Sequence, residues 1–201
     1  MTDRYHDLLF TPAVRAAQAQ VNGRAFSPPP GEGPDALGQD EAAFIASRES
    51  FYMASVSASG WPYVQHRGGP PGFIQALDPR RLAFVDLKGN RQLITLGNLA
   101  GEDRVALFFM DYARQGRLKL LARARPTPLE SEPELAAALA PGPLREKAQR
   151  LMILEVEAFD WNCNQHITPR FTQAELAPTL RRLQSRIEEL EGRLAALGET
   201  P

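Results

Sequence analysis

The chain has 201 residues with 23 basic and 24 acidic side chains, a net charge of −1. No chain-wide field is therefore available to grip a nucleic-acid backbone or an anionic membrane, and any anion site must be local. The length allows one well-buried core with appendages rather than two full domains, and the single cysteine, Cys163, excludes an internal disulfide or a cysteine-cluster metal site and fits a reducing compartment.

Met1 to Leu9 mixes Asp3, Arg4, His6 and Asp7 with few apolar residues, unlike the apolar stretch of an export signal, so the cytoplasm is the expected location. The longest apolar runs, such as Val105 to Met110, fall far short of the roughly 20 residues a membrane-crossing helix needs. Thr11-Pro12, an Ala- and Gln-rich stretch and then Asn22-Gly23 predict a helix, with Thr11 as cap, Pro12 in its first turn and Gly23 as stop. Ser27 to Pro34 holds four prolines and two glycines and predicts a surface connector. Asp40 is then expected to cap a short helix carrying Phe44 and Ile45.

From Phe51 the pattern becomes short apolar or alternating runs separated by turn residues, the mark of an antiparallel sheet or barrel. Six strands are expected. Phe51 to Ser57 turns through Ala58-Ser59-Gly60 into Tyr63 to Arg67 as a hairpin; Leu82 to Asp86, Arg104 to Tyr112, Arg117 to Arg125 and Leu151 to Phe159 complete the set. Arg91 to Ala100 has helical spacing, and Pro133 to Leu139 and Leu144 to Arg150 read as helices inserted before the sixth strand. Near the end, Leu176, Leu180, Leu183, Ile187, Leu190, Leu194 and Leu197 repeat at steps of four and three, with Arg and Glu between. This seam fits either an amphipathic helix packed on its own barrel or a short coiled coil with a second subunit.

Three clusters bear on chemistry. In Gln65-His66-Arg67-Gly68-Gly69, at a strand end, paired glycines permit close approach and Arg67 offers a planar fork of donors suited to phosphate. In Asp86-Leu87-Lys88-Gly89-Asn90-Arg91-Gln92 a strand gives way to a helix start, a natural phosphate seat to which Arg91 and Lys88 add charge. Two anion-suited turns on neighbouring strands point to a phosphorylated ligand. The third cluster, Trp161 to Arg170, is a polar, aromatic loop after the last strand, dense in donors and acceptors and poor as core material. Cys163 reads as an inert packed thiol, and His6, His66 and His166 are too scattered for a metal site.

Several long strings, Gly60 to Phe73, Gly89-Asn90-Arg91-Gln92, Gly97-Asn98-Leu99-Ala100 and Trp161 to Arg170, resemble the pyridoxamine 5′-phosphate oxidase-like, flavin mononucleotide (FMN) binding superfamily. The resemblance runs from about Phe44 to Arg170. It implies a six-stranded antiparallel split β-barrel, over residues 40–170, that forms a homodimer with FMN in clefts at the subunit interface. The helix and proline-rich connector of residues 1–39 precede the barrel, and the amphipathic helix of residues 171–201 follows it.

By position, the resemblance implies FMN contacts from Gln65, His66 and Arg67 on the second strand, from Val85 and Asp86 on the third, and from Asn90, Arg91 and Gln92 on the phosphate turn. Gln92 replaces the family's lysine there, so the phosphate loses one positive charge. Arg117 stands where a glutamine usually approaches the isoalloxazine ring. Trp161, Gln165, His166 and Arg170 are the candidate substrate contacts. The oxidase's carboxy-terminal segment, rich in tryptophan and arginine, has no counterpart, which argues against pyridoxamine phosphate as the substrate. The leading expectation is an FMN-dependent oxidoreductase acting on a small molecule, with a donor such as NAD(P)H; the alternatives are a non-enzymatic FMN carrier or sensor, or a split barrel using F420 or haem.

Overall fold

Residues 50 to 56 alternate between buried and more exposed positions, with Phe51, Met53 and Ser55 turned inward. That period of two is what a strand with one face on a core requires. The strand, β1 (Ser50–Val56), forms the expected hairpin with β2 (Pro62–Gly68), in a register that sets Phe51 opposite Arg67. Gly60 makes the turn at φ 84, a conformation glycine adopts without steric cost. The computed structural model describes residues 3–27, 29–31, 33–161 and 165–198.

Five further strands follow, β3 (Ile74–Asp78), β4 (Arg81–Leu87), β5 (Arg104–Asp111), β6 (Gly116–Thr127) and β7 (Ala148–Trp161). They form one sheet in the order β2-β1-β5-β6-β7-β4-β3, every pairing antiparallel. The sheet thus has seven strands, not six. The additional one, β3, is five residues long, bulges near Asp78 and buries fully only Ile74, so it lacks the alternation that makes a strand legible.

The sheet is open, with β2 and β3 as its edges. It curls nonetheless, because the ring of Phe51 on β1 lies 5.3 Å from that of Phe84 on β4, although three strands stand between them in the ladder. Phe51 also packs at 5.7 Å on Phe73 and at 5.1 Å on Phe109, forming the middle of the main core. A second apolar cluster lies on the other face of β4, where Ala83 and Val85 meet Ala136 and Leu139 of α5 (Pro133–Leu139).

Three helices precede the sheet: α1 (Asp3–Leu9), α2 (Pro12–Asn22) and α3 (Gln39–Ala46). α2 has the ends its sequence predicts, since Thr11 Oγ1 accepts from the Val14 amide at 3.3 Å and Gly23 closes it at φ 74. α1 has no counterpart among the expected elements. In α3 the cap is Gly38 rather than Asp40, and Glu41 reaches back to accept from the Gly38 amide at 2.9 Å. α4 (Ile94–Leu99) starts three residues later than Arg91, because Leu93 takes a left-handed conformation in front of it. Leu144 to Arg150 is not a helix. A 3-10 segment spans Gly142–Lys147, and Ala148 onward belongs to β7, held by its ladders with β4 and β6.

Gly69 shows what the paired glycines do for the fold. A Cβ built there would lie 2.6 Å from Cβ and Cγ of Phe73, a core side chain. Gly69→Ala is therefore expected to destabilise the chain by about 1–2 kcal/mol through overpacking, whereas Gly89→Ala, with nothing within 4 Å of its built Cβ, is expected to be far milder. Urea midpoints of the two variants check this.

The chain divides into two compact units, Met1–Asp111 with Gly116–Asn164, and Tyr112–Gln115 with Gln165–Pro201. The second contains α6 (Gln173–Ala196), which opens on a capping box: Thr172 Oγ1 accepts from the Glu175 amide, and Glu175 accepts from the Thr172 amide. No residue of α6 is buried. Among the described residues, no helix is long and apolar enough to cross a membrane.

Candidate functional site

Gln65 and Arg67 lie on the half-buried face of β2, and Val64 and His66 on the exposed one. Arg67 Nη1 donates to Oδ1 of Asp86 at 2.5 Å, while Arg150 Nη1 donates to Oδ2 of the same carboxylate at 2.6 Å. Asp86 and Arg150 are cross-strand partners in the β4–β7 ladder; Arg67 comes from the edge strand at the far end of the sheet order. All three side chains are sheltered, at 13%, 12% and 20% exposure for Arg67, Asp86 and Arg150. The Arg67 guanidinium also sits 5.9 Å from the centre of the Phe84 ring. Its Nε is buried and, among the described residues, has no hydrogen-bond partner, so one donor on this edge stands unmatched there.

The turn after β4 completes the arrangement. Asn90 Oδ1 accepts from the Gln92 amide at 3.1 Å, fixing the bend, and Arg91 and Leu93 take φ values of 61 and 55. Left-handed conformations cost a side-chain-bearing residue about 1–2 kcal/mol each, and such strain concentrates at ligand sites, where surrounding structure holds it in place. From α4, Thr95 Oγ1 donates to Gln65 Oε1 at 3.2 Å, and the buried Asn98 Nδ2 donates to Ser55 Oγ at 2.9 Å. These bonds tie the helix to β1 and β2 and orient the Gln65 amide.

The result is a cleft of about 50 Å³ whose walls include Gln65, Arg67, Asp86, Asn90, Arg91 and Arg150. Three arginines and one carboxylate line it, with Arg67 and Arg150 paired to Asp86, a formal excess of two positive charges. Planar, permanently charged donors in excess over their counter-ion are suited to a phosphate group.

Of the residues singled out in the sequence, Gln65, Arg67, Asp86, Asn90 and Arg91 come together at this cleft. Others lie elsewhere. His66 is on the opposite face of β2, edge-on to Tyr52 with ring centres 5.7 Å apart. Val85 belongs to the apolar cluster under α5, and Lys88 and Gln92 are exposed without lining the cleft. Arg117 lies opposite Met110 in the β5–β6 ladder, and among the described residues its buried Nε has no hydrogen-bond partner. Trp161 donates to Glu41 Oε1 at 2.6 Å and packs edge-on against Phe44, so it anchors α3.

Gln165, His166 and Arg170 are exposed residues of the second unit, where the Arg170 guanidinium stands 5.0 Å from the Tyr112 ring centre and His166 has φ 64. Asn162, Cys163 and Asn164, also within the third cluster, lie outside the described residues. Sequence reasoning missed Arg150, Gln149 and Thr95. The first two fell inside the supposed Leu144–Arg150 helix, and an expected strand start at Ala148 would have set Arg150 opposite Asp86.

A larger hollow of about 490 Å³, on the outer face of β1 and β5, is lined by apolar side chains including Leu8, Leu9 and Val56. Its rim charges are matched to one another: Arg104 pairs with Glu102, Arg123 with Asp103 and Glu157, and Arg4 with Glu157. The side-chain hydrogen bond from Arg104 holds the Glu102 carboxyl down at about 2. Size favours this hollow, but the small cleft holds the surplus of cations. Among the described residues, no group of three or more potential ligands is placed to hold a metal ion.

No curated protein matches the chain. Among solved structures it is similar to HupZ of Group A Streptococcus, at 14% identity and a TM-score of 0.48 over 67% of this chain and all of that one. It is similar to an FMN-binding protein from Syntrophomonas wolfei subsp. wolfei, at 7% identity and a TM-score of 0.47 over 62% of this chain and 85% of that one. An F420 reductase matches at 14% identity and a TM-score of 0.45, over 62% of this chain and 98% of that one. The family model described as pyridoxamine 5′-phosphate oxidase matches residues 37–162, well over half of the sequence and all seven strands. The chain belongs to the pyridoxamine 5′-phosphate oxidase family.

Proposed function

We propose that the chain is an FMN-binding split-barrel flavoprotein of the cytoplasm, an oxidoreductase whose Arg67–Asp86–Arg150 cluster and Arg91 turn seat the cofactor's phosphate. The observation that carries this reading is the buried Nε of Arg67, unpartnered among the described residues, in a cleft lined by three arginines and one carboxylate. An anionic oxygen would satisfy that donor, and the excess charge suits a phosphate dianion. Arg150 supplies the charge lost where the family's lysine is Gln92. Asp86 holds Arg67 and Arg150 in fixed positions before any ligand arrives, which lowers the ordering cost of binding. Asn90 shapes the turn that presents Arg91, and Gln65, steadied by Thr95, offers an amide beside the phosphate seat.

When bound, FMN supplies the hydride and electron chemistry; the protein supplies binding, orientation and electrostatics. Arg117, with its own unpartnered buried Nε, is the proposed contact to the ring, where it would offset negative charge. Gln165, His166 and Arg170 are the proposed contacts to a small-molecule substrate, and NAD(P)H the proposed donor.

The cleft is much smaller than the roughly 300–1,000 Å³ of a whole ligand site, so it suits only the phosphate end. The remaining walls are proposed to come from a second copy, as a homodimer with FMN at the interface. The exposed apolar side chains of Tyr52, Val56 and Val64, at 40%, 41% and 60% on the outer face of β1 and β2, support such pairing.

The test is the absorption spectrum of purified chain before and after adding FMN, followed by NAD(P)H under anaerobic conditions. A bound-flavin spectrum that bleaches supports the oxidoreductase. Bound flavin that resists bleaching by NAD(P)H and by other donors favours the carrier or sensor. A colourless preparation that ignores FMN, or one that instead takes F420 or haem, overturns the assignment.

A further inference from the structure

α6 carries an apolar stripe that its own unit leaves uncovered. Leu176, Leu180, Leu183, Ile187 and Leu190 are between 41% and 58% exposed, although five large apolar side chains in one row are rarely left in water without a partner. With Leu180, Ile187 and Leu194 at heptad position a, the d positions fall on leucines throughout, and the β-branched Ile187 at a beside leucine at d is the layer suited to two-stranded coiled coils. The residues least suited to a helix interior, Pro178, Ser185 and Gly192, all fall at f, the position farthest from a partner. A helix serving only itself has no reason to sort them that way.

The charges beside the stripe choose the partner. Arg186 and Arg193 occupy g, and Glu191 occupies e. In a parallel, in-register pair, position g of one helix faces position e of the next heptad on the other, so Arg186 of each copy meets Glu191 of its mate, twice by symmetry. In an antiparallel pair g faces g and e faces e, which sets Arg186 against Arg193 and leaves Glu191 without a cation. In the single chain Arg186 settles for Glu189 on its own helix, at 2.6 Å.

We infer that α6 forms a parallel, in-register two-stranded coiled coil with α6 of a second copy of this chain. Three heptads are marginal alone. The inference therefore rests on the homodimer reading for its stability, since copies already paired through their sheets hold their helices at an effective concentration in the millimolar range.

The experiment follows disulfide formation with time in a glutathione redox buffer, using the full-length chain carrying Cys163→Ser and Leu190→Cys, with mass by sedimentation under reducing conditions. The expected result is a disulfide-linked dimer forming about tenfold faster than with Ser185→Cys at position f. Adding Arg186→Glu should slow linkage severalfold, and Arg186→Glu with Glu191→Arg should restore it. Equal rates for Leu190→Cys and Ser185→Cys in a chain that sediments as a dimer overturn the coiled coil and leave the sheet pairing standing. A monomer by sedimentation overturns both. Linkage unaffected by the charge changes overturns the parallel register.

Discussion

Replacing Arg91 by alanine is expected to weaken FMN binding about ten- to a hundredfold while leaving the melting temperature close to that of the unaltered chain. A charge-assisted hydrogen bond to phosphate is worth on the order of 1.5–3 kcal/mol, which converts to that range of affinity. Arg91 is exposed and sits in a strained turn, so its removal uncovers no core and leaves no buried charge behind. Riboflavin, which lacks the phosphate, provides the control: its affinity should not change in Arg91→Ala. The difference between the two ligands in a fluorescence titration isolates the phosphate contact. Equal losses for FMN and riboflavin would place Arg91 at the ring instead, and no loss for either would remove it from the site.

The convergence of Arg67 and Arg91 was legible because Arg67 ends a strand beside Gly68 and Arg91 sits in the glycine-bearing turn that follows another, and strand ends in one sheet have few places to go. Asp86 was legible as a position but not as a role. That role depends on Arg150, whose neighbourhood of Arg145, Glu146, Lys147 and Gln149 consists of good helix formers. What makes residues 148–150 a strand is their ladder with β4, a contact some sixty residues away in sequence. Propensity is a weak prior beside tertiary pairing of this kind. The same competition explains α4, where helical spacing from Arg91 gave no warning that Leu93 would turn left-handed.

His66 and Val85 illustrate a different limit. Both neighbour residues that do line the cleft, and in a strand adjacent side chains point to opposite faces. A string of matching residues marks a segment, while the pleat decides which alternate members reach the site. The helix that carries the leucine seam, by contrast, was readable from its repeat alone, because a heptad pattern carries its own geometry, while the surface it packs on was left open between its own barrel and a second subunit.

Asp86→Asn separates the two duties of that carboxylate, and its expected outcome is a less stable protein that binds FMN more tightly. Removing the shared counter-ion leaves Arg67 and Arg150 sheltered, unpaired and close together, a loss of about 3 kcal/mol. For a chain of this length that lowers the melting temperature by roughly 6–12 °C. The cleft meanwhile gains one unit of positive charge. A unit charge roughly 6 Å away at an effective dielectric near 20 is worth about 2–3 kcal/mol, more than the positioning that Asp86 supplies, so FMN affinity should rise by about tenfold. Saturating FMN should then raise the melting temperature of Asp86→Asn by more than that of the unaltered chain, since ligand stabilisation grows with the logarithm of ligand concentration over Kd. Calorimetric scans with and without FMN measure both quantities. A variant that loses stability and also binds FMN more weakly would show that the positioning Asp86 gives Arg67 and Arg150 outweighs the negative charge it brings to the cleft.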